Sequence, residues 1–288
     1  MDFFALDRFF LYDSFVIYLQ KKTFMNLRAI CRNVEPVVID AGRLILRHLG
    51  DLKALHVRDK GKNNFVTRVD LRVEAMLIDA VHKLYPKHGI LTEEAGEVHP
   101  TQDGWKWIID PLDGTTNYIH GFPYFSISVA LLKDDQIELG LVYDPNHNEL
   151  FTAFRGSGAY VNASKRLRVS NQSSLDGALL GTAFPCRDPE DYPLAFNTLQ
   201  QMLPSVAGLR RMGAASLDLA YVAAGRLDGF WQVGLKPWDI AAGALLIQEA
   251  GGLITDYQGE QSMLQSGQVV AASPDLQKNI LDCIKSAS

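Results

Sequence analysis

Asp110 and Asp113 stand three residues apart in the stretch Trp107-Ile108-Ile109-Asp110-Pro111-Leu112-Asp113-Gly114-Thr115-Thr116-Asn117. One acid after an apolar run is an ordinary turn residue. Two beside a glycine suit chemistry that needs paired carboxylates: holding a cation, or hydrolysing something between them. Residues two apart share a strand face, and a spacing of three does not unless the chain turns. Pro111 supplies that turn, because its ring fixes φ and its nitrogen cannot join a ladder. The expectation is that Asp110 ends a strand and Asp113 swings onto the same site. Gly114 lets backbone approach closely, and the amides from Gly114 to Thr116 predict a helix start or nest, a natural anion site. An aspartate turn followed by a cap is the bland alternative, and this stretch alone leaves both open.

Other acids occupy similar places. Glu93 and Glu94 close a second β-type run just before Gly96. Asp239 follows Trp238 at the head of a helical stretch, where its ordinary role is an N-cap. Asp70 lies near the start of another, where a cap or a dipole contact is the ordinary role. Each alone is unremarkable. Four acid positions at strand ends and helix starts, in elements able to converge, point to hard oxygen ligands of the kind Mg²⁺ prefers. No His or Cys joins them, which disfavours zinc. The seven histidines are scattered and read as surface or core residues.

The elements that must position these acids follow from periodicity. Apolar residues from Ile30 to Leu49 recur at helical spacing over 26–49, and a second helix is predicted over 67–85, ending at Pro86. The polar segment 56–65 between them reads as a loop. From Gly89 to Asn162 short β-type runs dominate, with turn residues at Asp134-Asp135 and Gly156-Ser157-Gly158, so a mostly antiparallel sheet is predicted. Beyond it strands and helices alternate: strands over 178–184, 228–234 and 269–273, helices over 190–203, 216–224 and 238–252, and a terminal helix. Ser216 is the expected cap of its helix, and Gly251-Gly252 the stop of the next. Two sheet-plus-helix lobes are expected, about 25–180 and 181–288, divided near 170–185.

Bulk properties set the outer limits. The chain has 288 residues, 47% hydrophobic, enough for a large packed core. A net charge of −5 argues against a general electrostatic grip on nucleic acid. Cys31, Cys186 and Cys283 lie far apart with no C-x-x-C, and read as reduced thiols of a cytoplasmic protein. Residues 1–24 are rich in Phe and Tyr, but Asp2, Asp7, Arg8 and Asp13 interrupt them before the length of a membrane span, and neither a basic leader nor a small-residue cleavage site accompanies them. They read as an extension upstream of a domain that begins near Met25, with an amphipathic surface helix as the alternative.

The stretches 107–128 and 237–252 together resemble the inositol monophosphatase family of Mg²⁺-dependent phosphatases, with 63–70 and 89–94 falling where that family has its other acid motifs. Residues 210–231 are most similar to its bacterial extragenic-suppressor branch. The resemblance implies an α/β fold layered α-β-α-β-α and a homodimer. It implies metal ligation by Glu93, Asp110, Asp113, Asp239 and the Leu112 carbonyl, with Asp70 near an additional metal. Glu93 and Thr115 then orient a water made acidic by one Mg²⁺, while a second clamps phosphate and leaving alkoxide. Gly114 and Thr115 are implied on the phosphate side, and Gly213, Ala214, Ala215 and Gln232 on the alcohol side, with Asp113 and Asp239 also facing substrate. Lithium sensitivity is a further expectation.

Alternatives bear on this reading. Aspartyl-phosphate phosphatases use D-x-D-G-T with an attacking aspartate; here Pro111 and Leu112 both lie between the acids, which removes the same-face geometry. No G-x-S-x-G elbow is present, and 155–160 reads as a hairpin turn. Gln232 stands where inositol-gripping relatives commonly carry an acid, so glycerol, nucleoside or other sugar phosphates remain candidate substrates beside inositol monophosphate. The branch also includes members that act in transcription antitermination and ribosomal RNA maturation, binding RNA polymerase and antitermination factors. Arg210-Arg211 is the candidate surface for that, with a phosphate-side or dimer-interface pair as the ordinary alternative.

Overall fold

The computed structural model describes residues 26–50, 58–61, 64–184 and 192–287. The aromatic segment 1–24, Cys186 and the start of the helix expected at 190 lie outside them. In chain order the elements are α1 (Leu27–His48), β1 (Arg58–Gly61), β2 (Asn64–Val66), α2 (Arg68–Leu84), β3 (Gly89–Thr92), β4 (Gly96–His99), β5 (Trp105–Asp113) and α3 (Thr115–Ile119). Then come β6 (Ser126–Lys133), β7 (Gln136–Asp144), β8 (Glu149–Phe154), β9 (Gly158–Val161), β10 (Lys165–Arg166), β11 (Leu179–Thr182) and α4 (Tyr192–Met202). The remainder is β12 (Gly208–Arg210), α5 (Ala215–Ala223), β13 (Gly229–Gln232), α6 (Pro237–Glu249), β14 (Leu253–Thr255), α7 (Met263–Ser266), β15 (Val269–Ala272) and α8 (Pro274–Ala287).

Strand alternation builds the layers. Ile109, Ile127, Val129 and Leu141 share a core with Val34 and Val38 of α1 and Val73 and Leu77 of α2. Their neighbours Ile108, Ala130, Leu132 and Val142 face the other way, onto Leu219 of α5 and Ile240 and Leu245 of α6. The second sheet repeats this. Phe230, Val269 and Ala271 meet the same two helices, whereas Trp231, Val270 and Ala272 pack on Met202 of α4 and Leu276 and Ile280 of α8. The result is helix, sheet, helix, sheet, helix. α6 lies between two sheets, which is why its sequence is apolar nearly all round.

The first sheet runs β10-β9-β8-β7-β6-β5-β3-β4 and the second β12-β11-β13-β15-β14. The middle of the chain is mostly antiparallel as expected, with β3 and β5 parallel. The segment expected as a loop at 56–65 holds an antiparallel pair instead, β1 on β2. Its residues are too polar to show the alternation by which strands are recognised. Helix α1 starts at Asn26, whose side chain accepts from Ala29 N at 3.1 Å. Helix α2 starts at Thr67, which shares a capping box with Asp70.

Two expectations at the site need correction. The strand does not end at Asp110; β5 continues to Asp113. Asp110 pairs with Ser128 and Asp113 with Ser126, so three steps on β5 match two on β6. That is a β-bulge, and the extra residue flips the parity of the strand. Pro111 sits within it, where no ladder donor is required. Ser216 is not the cap of its helix. Ala214 holds that position without a side-chain bond, and Ser216 donates across the molecule to Asp113.

Candidate metal centre

The bulge brings Asp110 and Asp113 to one face, and α6 presents Asp239 to them. One carboxylate oxygen from each lies within 4.8 Å of the others. Asp239 is the third residue of α6 rather than its cap, and its Oδ2 accepts from Lys236 N at 2.7 Å. Ser128 Oγ donates to the Trp238 carbonyl at 2.9 Å and so ties the head of α6 to β6. Asp110 Oδ1 accepts from Leu112 N at 2.9 Å. Burial, then the negative charges of Glu93, Asp113 and Asp239, push the Asp110 carboxyl well above the usual range. A buried set of like charges is costly without a counter-charge.

A second group adjoins the first. Glu93 follows β3, its amide on the Ile109 carbonyl at 3.3 Å. Asp70 is buried, and Thr67 donates to its Oδ2 from both backbone and hydroxyl. Burial nevertheless pushes its carboxyl up to about 6, against those Thr67 bonds. Thr115 Oγ1 has one proton and two acceptors, Asp70 Oδ1 at 3.1 Å and the Leu112 carbonyl at 3.0 Å. Asp70 and Glu93 stand outside the three-carboxylate cluster found among the described residues.

Gly114 has φ +93°, and a Cβ there would lie 3.0 Å from the Tyr124 carbonyl and 3.2 Å from the Cβ of Ala214. The turn after the acids therefore abuts the Gly213–Ala215 loop. Asn117 Nδ2 spends its two protons on the Tyr124 and Met212 carbonyls, at 2.8 and 2.7 Å, and holds the two loops together. Tyr124 OH donates to Asp218 Oδ1 at 2.8 Å, beneath the same loop. Gln232 ends β13 and is half-buried.

Sequence reasoning missed Ser216, Asn117 and Tyr124 as supports of the site. One signal was present on β6, which supplies two further supports: Ser126 and Ser128 are two apart in an otherwise apolar run, and their register partners are Asp113 and Asp110. No such signal marks Ser216, which comes from a helix 103 residues away from Asp113 in sequence.

The inositol monophosphatase family matches residues 29–287. The chain is 46% identical over 241 residues, 84% of its length and 90% of the relative's, to a protein of Escherichia coli K12 named Nus factor SuhB. The structure of extragenic suppressor protein suhB from Bartonella henselae matches with a TM-score of 0.86 at 38% identity, over 89% of this chain and 98% of that one. An inositol monophosphatase from Anabaena (Nostoc) sp. PCC 7120 matches with a TM-score of 0.80 at 33% identity, over 91% and 97%. This chain belongs to the inositol monophosphatase family, whose members are generally metal-dependent phosphatases. Among the described residues no helix is long and apolar enough to cross a membrane.

Proposed function

We propose that this protein is a Mg²⁺-dependent phosphomonoesterase acting on a small phosphorylated alcohol: inositol monophosphate or a related polyol or sugar phosphate. One observation carries the reading, the convergence of Asp110, Asp113 and Asp239 within 4.8 Å beside the Gly114 turn. The donors fit the cation. Glu93, Asp110, Asp113, Asp239 and the Leu112 carbonyl, with Asp70 behind Thr115, offer hard oxygen and neither thiolate nor imidazole. When bound, Mg²⁺ supplies water activation and neutralises phosphate charge.

The chain's own part is to hold and orient. Thr115 gives its proton to Asp70, which turns a hydroxyl lone pair toward the attacking water, and Glu93 orients that water from the other side. Gly114 and Thr115 present backbone amides to the phosphate, as a nest does. Gly213, Ala214 and Ala215 line the alcohol side with small residues. Gln232 offers an amide to a substrate hydroxyl, without the charge-assisted strength of a carboxylate. A homodimer in the cytoplasm completes the proposal.

The test is phosphate release from inositol, glycerol, sugar and nucleotide phosphates, with and without Mg²⁺ and Li⁺. Asp113→Asn and Asp239→Asn are expected to lose more than about a hundredfold, beyond the usual cost of removing a residue that merely supports a ligand. Li⁺ is expected to inhibit. Full activity in either variant sinks the assignment.

The name Nus factor SuhB, carried by a relative at 46% identity, supports a second reading: binding to RNA polymerase and antitermination factors. Pull-down with wild type and Asp113→Asn separates the two. Binding that survives loss of catalysis gives a role of its own, and absence of binding removes it.

A further inference from the structure

Ser216 is fully buried in the first turn of α5. Its backbone N–H donates to Asp113 Oδ2 at 2.8 Å, and its hydroxyl donates to the same oxygen at 2.6 Å. Behind it Ser126 Oγ lies 2.9 Å from Ser216 Oγ. The Ser216 hydroxyl proton points to Asp113 Oδ2. The proton between the two serines must then come from Ser126. A relay of two buried hydroxyls and one amide thus ends on a single carboxylate oxygen.

Two donors on one oxygen fix the plane of the carboxylate, and with it the direction of the other oxygen. They also draw charge from Asp113, which eases its repulsion with Asp110 and Asp239. We propose that Ser216 is a positioning residue for the metal-dependent reaction: from α5 it locks the Asp113 carboxylate toward Asp110 and Asp239, and Ser126 locks Ser216. The proposal rests on the metal-dependent reading given above. It deepens that reading by adding a residue of the middle helix layer that acts through Asp113. Ser216 directly follows Gly213–Ala215, so the same bond ties the alcohol-side loop to the acids.

The experiment is calorimetric titration of the chelated full-length protein with Mg²⁺, in the absence of substrate, together with Tm of each metal-free variant. Ser216→Ala keeps the backbone bond and loses the hydroxyl. It is expected to bind Mg²⁺ about tenfold more weakly, the lower end of the range for residues that support a ligand. Raising Mg²⁺ is expected to recover most of its kcat. Ser216→Thr keeps the hydroxyl and is expected to bind Mg²⁺ like wild type, even where its extra methyl lowers the metal-free Tm. Ser126→Ala is expected to shift affinity in the same direction as Ser216→Ala, by less. Wild-type affinity in Ser216→Ala, or equal weakening in Ser216→Thr, overturns the positioning role alone. A wild-type protein that neither binds Mg²⁺ nor releases phosphate overturns the metal-dependent reading and this inference with it.

Discussion

The surroundings of Asp110 press its carboxyl toward the protonated form. It is 1% exposed, and burial together with Glu93, Asp113 and Asp239 favours its protonated form, opposed by the Leu112 amide. Asparagine at this position removes one like charge and keeps an oxygen for Leu112 N–H. Asp110→Asn is therefore expected to stabilise the metal-free protein, because the cost of crowding buried carboxylates is relieved, while phosphate release is lost. Urea unfolding in a chelator measures the first, and a less stable variant contradicts it. His88 is an independent titration far from these acids in chemistry. Burial lowers its pKa, and Trp107 Nε1 donates to its Nδ1 at 3.0 Å, which requires a neutral ring. The unfolded chain takes up the proton first, so stability declines as pH falls below the ordinary histidine value of about 6.5. His88→Gln keeps an acceptor without titrating, and its Tm is expected to fall less steeply over that range. An unchanged slope refutes the assignment. The acids of the site were legible in the sequence because chemistry restricts their type. The parity that unites Asp110 and Asp113 was not, since a bulge exists only relative to a partner strand. Ser216 was illegible for a related reason: its partner is 103 residues away, and a serine in a first helical turn has an ordinary local explanation.

At the scale of elements, the long helices and the central strands were readable from period, because each buries a continuous face. β1 and β2 were not, because β1 is polar and β2 has only three residues, and β4, β12 and β14 were not, because each is three or four residues long with an exposed residue among them. Close packing between elements is also invisible to periodicity. Gly243 lies within α6, where a glycine costs helix stability, yet a Cβ there would stand 2.6 Å from the Cβ of Leu219 on α5. Two effects therefore compete in Gly243→Ala. Helix propensity favours alanine by about 1 kcal/mol, and overpacking a tight core opposes it by about 1–3 kcal/mol. The clashing atom is fixed to the backbone, so relief requires α5 and α6 to move apart, and overpacking is expected to win. A variant as stable as wild type in urea means that moving the two helices apart costs no more than the roughly 1 kcal/mol that helix propensity returns, and overturns this expectation.

The whole molecule matters because the site has no single owner. Asp70 comes from the outer helix layer, Asp110 and Asp113 from the first sheet, and Asp239 and Ser216 from the helices between the sheets. The carboxylates meet only when three adjacent layers are assembled. A cation held by them then binds the folded chain and not the unfolded one, and its binding free energy appears as folding free energy. At a Mg²⁺ concentration one hundred times Kd, linkage predicts about 2.7 kcal/mol of added stability. For a chain of this size that is a rise in Tm of about 4–5 °C. Asp239→Asn leaves the three hydrophobic cores untouched and removes the ligand contributed by the middle layer. It is expected to lose most of the Mg²⁺-dependent rise while keeping a metal-free Tm at or above that of wild type, because one like charge has gone. If Mg²⁺ instead raises the Tm of both proteins equally, the ion acts on the surface generally, and the three carboxylates are not where it binds. A difference between them that grows with Mg²⁺ and disappears in a chelator places the cation at the junction of the layers.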